Sequence, residues 1–232
     1  MLRKLADDVL THSTAYANLK VLTKEIGGRL AGSRQMPKAE QWGFKALKEA
    51  GADTVYLQEC MVPHWVRGAR EEVRIISKRR DFVPPLQVLA LGNSVGSPAE
   101  GITAPVLEVD SFDDLEAKKD EVKGKIIFYN YYFNQKFIKT FHAYGDAFMY
   151  RAAGASRAAK YGALAVIVRS MSHAAHNFPH TGAMRYNDSF PKIPAVAIGL
   201  EDADLLSGRI RDEKDLKIYL HTSCQFLPDT IG

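Results

Sequence analysis

Residues 150–186 have the sequence YRAAGASRAAKYGALAVIVRSMSHAAHNFPHTGAMRY, which predicts a helix, a buried strand and a long loop in that order. One face of the helix carries small residues that let it approach a sheet closely: Ala152, Ala155, Ala159 and Gly162. Gly162 also suits the end of the helix, because glycine adopts a left-handed conformation without steric cost. The apolar run 163–168 then predicts a strand covered on both faces.

The loop that follows Arg169 is rich in His, Asn, Gly and Pro and extends to Phe190. Loops of this length on a rigid strand–helix scaffold are usually functional or disordered. We therefore take Ser172 to Phe190 as the working surface of the domain.

Strands and helices alternate on both sides of this stretch, from residue 86 to residue 222. Predicted strands are 106–110, 124–130, 163–168, 193–198 and 217–222. A capping sequence at Ser111 begins one intervening helix, and acids at Glu201 and Asp202 favour the start of another. The alternation predicts an α/β domain.

The first eighty residues follow a different pattern. Apolar spacing over residues 2–26, interrupted at 11–13, predicts one or two helices, and Pro37 suits the first turn of a further helix that ends near Gly51. Runs 54–62 and 72–77 predict a β-hairpin at an edge. These elements do not enclose a core alone, so we expect other chain, or a second copy in a homodimer, to cover them.

The stretch RRDFVPPL (79–86) is the clearest boundary between the two patterns, because paired prolines block both helices and sheet hydrogen bonds. The segment that it closes holds an acidic doublet, Glu71-Glu72, of a kind found in dinuclear zinc peptidases. No His-x-Asp accompanies the doublet, and we interpret it as charge that protects an edge strand.

Composition excludes only a few classes of function. The chain is 46% hydrophobic and 25% charged, and its net charge of +4 gives no more than weak support for a nucleic-acid or anionic-membrane partner. A nucleic-acid binder would rest on this charge alone, so we expect no nucleic-acid partner. No run reaches the roughly 18 apolar residues of a membrane helix, and the first residues lack a signal-peptide core. Cys60 and Cys224 match no metal spacing; two buried free thiols are favoured over one disulfide.

Motifs for catalysis are incomplete. His173, His176 and His180 lie within eight residues, but no helix places two of them on one face and no acid is near, so we expect polar loop residues rather than a zinc site. Ser156 lies within the predicted helix and no nucleophile elbow, phosphate loop or dinucleotide fingerprint occurs. The sequence therefore shows no catalytic set.

Several segments resemble M28 metallopeptidases of the carboxypeptidase Q group. They are EIGGRLAGS (25–33), VPHWVRG (62–68), LGNSVGSPAEGITAPVLEV (91–109), SFDDL (111–115), KGKIIFYN (123–130), GASRAAKYGALAVIVRS (154–170), PHTGAMRY (179–186), PKIPAVAIGLEDADLL (191–206) and LPDT (227–230). They occur in the same order as in the family and cover nearly the whole chain.

The resemblance implies an exported zinc exopeptidase, periplasmic or extracellular, with an inserted protease-associated (PA) domain of the swivelling β/β/α type. Residues 1–80 would begin the catalytic domain, 86–222 would be the PA domain, and 223–232 would return to the catalytic domain. The two zinc ions of the family are held by residues for which this chain offers no matching position. We therefore expect no cofactor and no catalytic residue in this chain, and no activity from it alone.

The resemblance also places the loop after the middle strand at the substrate cleft. Its distinctive members are His180, Thr181, Gly182, Arg185 and Tyr186. Arg185 is suited to pair with a substrate carboxylate, whereas the alternative is that Thr181 and Gly182 only shape a turn and Arg185 is solvated.

The sequence leaves two functions open. The first is the substrate-selecting lid of an M28 exopeptidase for small peptides, whose partner is the remaining catalytic domain. The second is a free-standing PA module that binds a peptide or a protein partner without catalysis.

Overall fold

The computed structural model describes residues 1–79, 83–173 and 176–232. These form two compact units: unit 1 is Met1–Trp65 with Leu227–Gly232, and unit 2 is Val66–Phe226. Part of the predicted boundary, residues 80–82, lies outside the described residues, as do residues 174–175 of the predicted working loop.

Unit 1 is mainly helical. Its helices are α1 (Leu2–His12), α2 (Ala15–Lys20), a π-helical segment (Val21–Ile26) and α3 (Met36–Glu49). The predicted interruption is confirmed, because α1 and α2 are separated at Ser13. A proline in the first turn of α3 and a left-handed Gly51 just beyond its end also match the prediction.

The predicted hairpin is wrong. Strand β1 (Met61–Val66) pairs with β9 (Gln225–Ile231), and β2 (Glu72–Ile76) pairs antiparallel with β8 (Lys217–His221). The run 72–77 is confirmed as a strand, but of the run 54–62 only residues 61 and 62 belong to one. The partner of a strand is chosen by packing across the sheet rather than by closeness in sequence. The predicted boundary near residue 80 thus follows a strand that already belongs to the sheet of unit 2.

Unit 2 is built on a seven-stranded mixed sheet with the order β2-β8-β4-β5-β6-β7-β3. Its remaining strands are β3 (Val88–Ala90), β4 (Ile102–Val109), β5 (Ile126–Tyr129), β6 (Ala165–Arg169) and β7 (Ala195–Ile198). Strands β4 to β7 run parallel, as alternation with helices predicts, and every residue of β5, β6 and β7 is buried. This confirms a mixed α/β fold.

Three helices accompany these strands: α4 (Phe112–Ala117), α5 (Thr140–Ala159) and α6 (Leu200–Asp212). The predicted cap is confirmed, because the Ser111 hydroxyl accepts a hydrogen bond from the backbone N–H of Asp114 at 3.0 Å. Gly162 has the expected positive φ of 84° three residues after α5 ends.

Helix α5 corrects the sequence interpretation at its start. We predicted an aromatic loop as far as Tyr150, whereas the helix begins at Thr140. Its C-terminal half packs small residues against the sheet: a Cβ on Gly154 would lie 2.8 Å from the ring of Tyr129. The helix therefore positions Tyr144, Phe148 and Arg151 in front of the long loop.

Candidate functional site

The loop between β6 and β7 contains all the predicted site residues. It is anchored first to the chain around β3: Gly92 N–H donates to the carbonyl of Gly182 at 2.9 Å, and Met184 N–H donates to the carbonyl of Gly92 at 2.9 Å. The Thr181 hydroxyl donates to the carbonyl of Ala90 at 2.8 Å. Thr181 and Gly182 thus hold the loop against the chain around β3.

Helix α5 anchors the loop a second time. The backbone N–H of Arg185 donates to the carbonyl of Ala152 at 2.9 Å, and that of Asn187 donates to the Ser156 hydroxyl at 2.8 Å. Ser156 is buried within the helix, so its hydroxyl serves as a loop anchor rather than as a nucleophile. Between these points Met184 is fully buried.

Tyr186 is held through its hydroxyl group. This group donates to the carbonyl of Ile193 at 2.6 Å and accepts from the backbone N–H of Val95 at 3.0 Å. Burial raises the pKa of the Tyr186 phenol, and the hydrogen bond from Val95 opposes this change. Tyr186 therefore stays neutral and joins three parts of unit 2.

Beneath the loop lies Arg151 of α5, which is only 6% exposed. Its guanidinium donates to the Tyr144 hydroxyl at 2.9 Å and lies 5.1 Å from the centre of the Phe148 ring. A Cβ on Gly182 would lie 2.7 Å from the guanidinium carbon. A larger residue at position 182 would therefore displace this guanidinium from its place under the loop.

His180 lies on the same side, with its ring centre 5.9 Å from that of Tyr144. Burial lowers the pKa of His180, and the positive charge of Arg151 lowers it further. Its Nδ1 atom is buried and has no hydrogen-bond partner among the described residues. A neutral imidazole beside a buried guanidinium leaves this region with one fixed positive charge.

Arg185 differs from the other predicted residues, because its side chain is exposed and forms no ion pair with a described residue. All five predicted residues lie in this loop: Thr181, Gly182 and Tyr186 hold or shape it, and the His180 ring lies beside Tyr144. The sequence motifs did not point to Arg151 or Tyr144. Their spacing with Phe141 and Phe148 is helical (141, 144, 148, 151) and was the available signal.

The histidine trio shows no convergence in the described chain. His173 contacts the Phe133 ring edge-on at 4.7 Å, and His176 accepts a hydrogen bond from the backbone of Phe178 at 3.2 Å. Across residues 1–79, 83–173 and 176–232, no group of three or more His, Cys, Asp or Glu residues is placed to hold a metal ion.

The acidic doublet has two separate roles. Glu71 is buried, pairs with Arg67 at 3.1 Å and accepts the backbone N–H of Ala90 at 2.8 Å. Glu72 is half-exposed on the edge strand β2 and pairs with Arg74. The edge-charge interpretation is therefore wrong for Glu71, because burial with an arginine and a backbone donor makes it a structural link.

Sequence and structure comparisons place this geometry in a known group. No family model matches the chain. Human carboxypeptidase Q is 38% identical over 216 residues, which are 93% of this chain and 43% of the human protein. A peptidase M28 precursor from Shewanella amazonensis is 34% identical with a TM-score of 0.89, over 99% of this chain and 51% of that one. The chain belongs to the M28 peptidase family.

This M28 chain spans about 43% of the length of the human relative that it matches. A zinc aminopeptidase from Bacillus subtilis has the same fold at lower similarity, with 20% identity, a TM-score of 0.56, and coverage of 94% of this chain and 44% of that one. No helix among the described residues is both long and apolar enough to cross a bilayer.

Proposed function

We propose that this chain is the N-terminal and PA portion of a zinc-dependent M28 exopeptidase that hydrolyses small peptides. In this proposal unit 2 is the PA domain, and it covers the substrate cleft of the catalytic domain. The observation that carries the proposal is the match to the Shewanella peptidase, which extends over 99% of this chain at a TM-score of 0.89 and 34% identity. That peptidase is about twice as long as the matched segment, and we propose that the catalytic groups lie in the remainder of such a protein.

The described residues do not fit zinc, since no three potential ligands lie together among them. We therefore assign no catalytic step to this chain. Its proposed contribution is to position substrate: the doubly anchored loop holds Arg185 at the surface, where a guanidinium can pair with the carboxylate of a short peptide. A rigid support reduces the entropy lost when that contact forms.

The proposal is tested by a chimera in which residues 66–226 of this chain replace the matching segment of the Shewanella peptidase. We expect a folded, zinc-containing chimera that cleaves dipeptides. Arg185→Gln in the chimera should raise KM for dipeptides with a free carboxylate by about tenfold and leave dipeptide amides unaffected. Arg211→Gln, at the exposed end of α6, is the matched control. An Arg185→Gln chimera with unchanged KM would refute the positioning role.

The isolated chain provides the complementary measurement. We expect it to hold no stoichiometric zinc and to cleave no dipeptide. Two tightly bound zinc ions together with turnover would overturn the proposal.

A free-standing peptide- or partner-binding module is the second candidate, and the extensive core of unit 2 favours it. Ile127, Val166 and Ala195 on three adjacent strands are all fully buried, so unit 2 has the interior of an independent domain. High affinity of the isolated chain for a peptide, combined with an inactive chimera, would support this candidate.

Location and assembly are also part of the proposal. We propose export to the periplasm or cell exterior, and we propose that the exposed apolar side chains of unit 1 are covered by the catalytic domain or by a second copy. Light scattering of the purified chain distinguishes a monomer from a homodimer.

A further inference from the structure

A cavity of about 750 Å³ lies within unit 2, between α5 and residues 183–190. Its charged lining residues are all cationic: Arg151, Arg157, Lys160 and Arg185. Among the described residues no Asp or Glu lines it, although acids and bases are interspersed elsewhere in the chain. This asymmetry creates a locally positive, partly enclosed space that attracts anions.

Two of the four cations lie near the carboxylate of Glu116. Lys160 is 3.9 Å from it, and after the hydrogen bond from Tyr161 the charges of Lys160 and Arg157 lower the pKa of Glu116 further. Arg151 and Arg185 form no ion pair with any acid in the described parts of the chain. These two arginines are therefore the available anion partners.

Of these two arginines, Arg151 provides the stronger evidence that the cavity binds an anion. It is 94% buried (6% exposed), and its Nε–H has no hydrogen-bond partner among the described residues. Burial of a guanidinium without a carboxylate is costly, and the contacts with Tyr144 and Phe148 offset only part of this cost. Because Arg151 lines the cavity, an anion that enters it would offset this buried charge.

The rest of the lining is apolar or neutral. Phe148 and Met149 contribute from α5, and Phe190 contributes from the loop, so a hydrophobic group can be buried beside the cations. A volume of about 750 Å³ is in the range of small-molecule sites.

We propose that this cavity binds a small ligand that carries both a carboxylate and an apolar group. Arg151 is the main partner of the carboxylate, Arg185 is a second cationic partner, and Phe148 and Phe190 contact the apolar group. The inference goes beyond the proposed function, because the cavity lies in unit 2 alone and requires neither zinc nor a catalytic domain.

The test uses the whole chain and N-acetyl-L-phenylalanine as the probe, with its uncharged amide as the matched control ligand. We expect calorimetry to show binding of the acid and at least about tenfold weaker binding of the amide. Backbone amide shifts in the NMR spectrum should change for Ala152, Ala183 and Asn187, which line the cavity. Equal affinity for acid and amide, or no binding of either, would overturn the proposal.

Variants locate the anion partner. Arg151→Met keeps the aliphatic stem and should weaken acid binding about tenfold, whereas Arg151→Lys should retain part of it. Arg211→Met removes an exposed arginine outside the cavity and should leave binding unchanged. If Arg151→Met fails to fold, Arg185→Gln and the NMR shifts decide, and unchanged affinity or shifts confined to other residues would refute the site.

The outcomes separate this inference from the proposed function. If the chain does not bind N-acetyl-L-phenylalanine but the chimera is active, only the ligand site in the cavity is refuted. If the chain binds this acid but the chimera is inactive, only the peptidase role is refuted.

Discussion

The apolar residues of the helices in unit 1 are at least partly exposed, whereas those of the central strands in unit 2 are buried. In unit 1 no residue of α1, α2 or α3 is buried, and Leu10 is 83% exposed. In unit 2 every residue of β5 is buried and Ile127 is completely inaccessible. Helical periodicity alone therefore produces helices in unit 1, whereas unit 2 also has the packed interior that stabilises a domain.

The contrast shows that amphipathic pattern and stability are separate properties. Helices of 11 and 6 residues, such as α1 and α2, are marginal when no apolar face is covered. The following predictions test this difference between the two units, beginning with the largest expected effect.

The largest difference is expected in hydrogen exchange. Backbone amides of β5 and β6 should be protected by a factor of about 1,000 or more, because they exchange only after unit 2 opens, whereas amides of α1 should exchange close to the intrinsic rate. Mass spectrometry of peptic fragments measures both regions in one sample. Strong protection of α1 would break the comparison.

Truncation of a buried side chain in unit 2 should destabilise the protein more than truncation of an exposed side chain in unit 1. Ile127→Ala should lower the free energy of unfolding by about 4 kcal/mol, because it leaves a cavity between parallel strands. Leu10→Ala, at an exposed helical position, should change it by less than about 0.5 kcal/mol. Urea unfolding followed by far-ultraviolet circular dichroism provides the measurement, because Trp42 and Trp65 both lie in unit 1. Equal losses would contradict the prediction.

Thiol reactivity offers a matched pair, because both cysteines are free and one lies in each unit. Cys60 is exposed, so the sequence-based expectation of two buried thiols is wrong for Cys60. Burial, with the charge of Glu71, raises the pKa of Cys224 to about 11. At pH 8 iodoacetamide should modify Cys60 at least about 100-fold faster than Cys224.

The pH dependence of alkylation provides a second measurement on Cys224. Cys224 gains thiolate only as the pH approaches its raised pKa of about 11, so its rate should continue to increase between pH 9 and pH 11. Peptide mapping after timed alkylation assigns the two rates. Similar rates at pH 8 would show that unit 2 does not shield its thiol.

The smallest effect is expected from two glycines with nearly the same backbone angle. Gly68 in unit 2 has a φ of 81°, and a Cβ there would collide with the backbone carbonyl of Ser223. Gly27 in unit 1 has a φ of 82° and nothing within 4 Å of the same position. In urea unfolding, Gly68→Ala should lower the free energy of unfolding by about 3 kcal/mol and Gly27→Ala by about 1 kcal/mol. Equal losses would show that backbone strain, rather than the collision with Ser223, sets the size of the effect.

Much of the candidate site follows from local sequence. The buried strand before the loop, the helix before that strand and the left-handed Gly162 between them are all confirmed. The loop itself is located correctly, but its anchors on Ala90 and Gly92 are not visible in the sequence. They are hydrogen bonds between residues about ninety positions apart, one from the Thr181 hydroxyl and the others between backbone groups, and no periodicity encodes them.

The sequence alone determined where most helices and the parallel strands lie and how α4 is capped, because these depend on hydrogen bonds and side-chain periodicity within a few residues. The tertiary structure decided that β2 joins β8 and that Arg151 is buried beneath Gly182 without an acidic partner among the described residues. Strand partners and buried charges depend on which distant segments pack together. Their free energies arise only when that packing is complete.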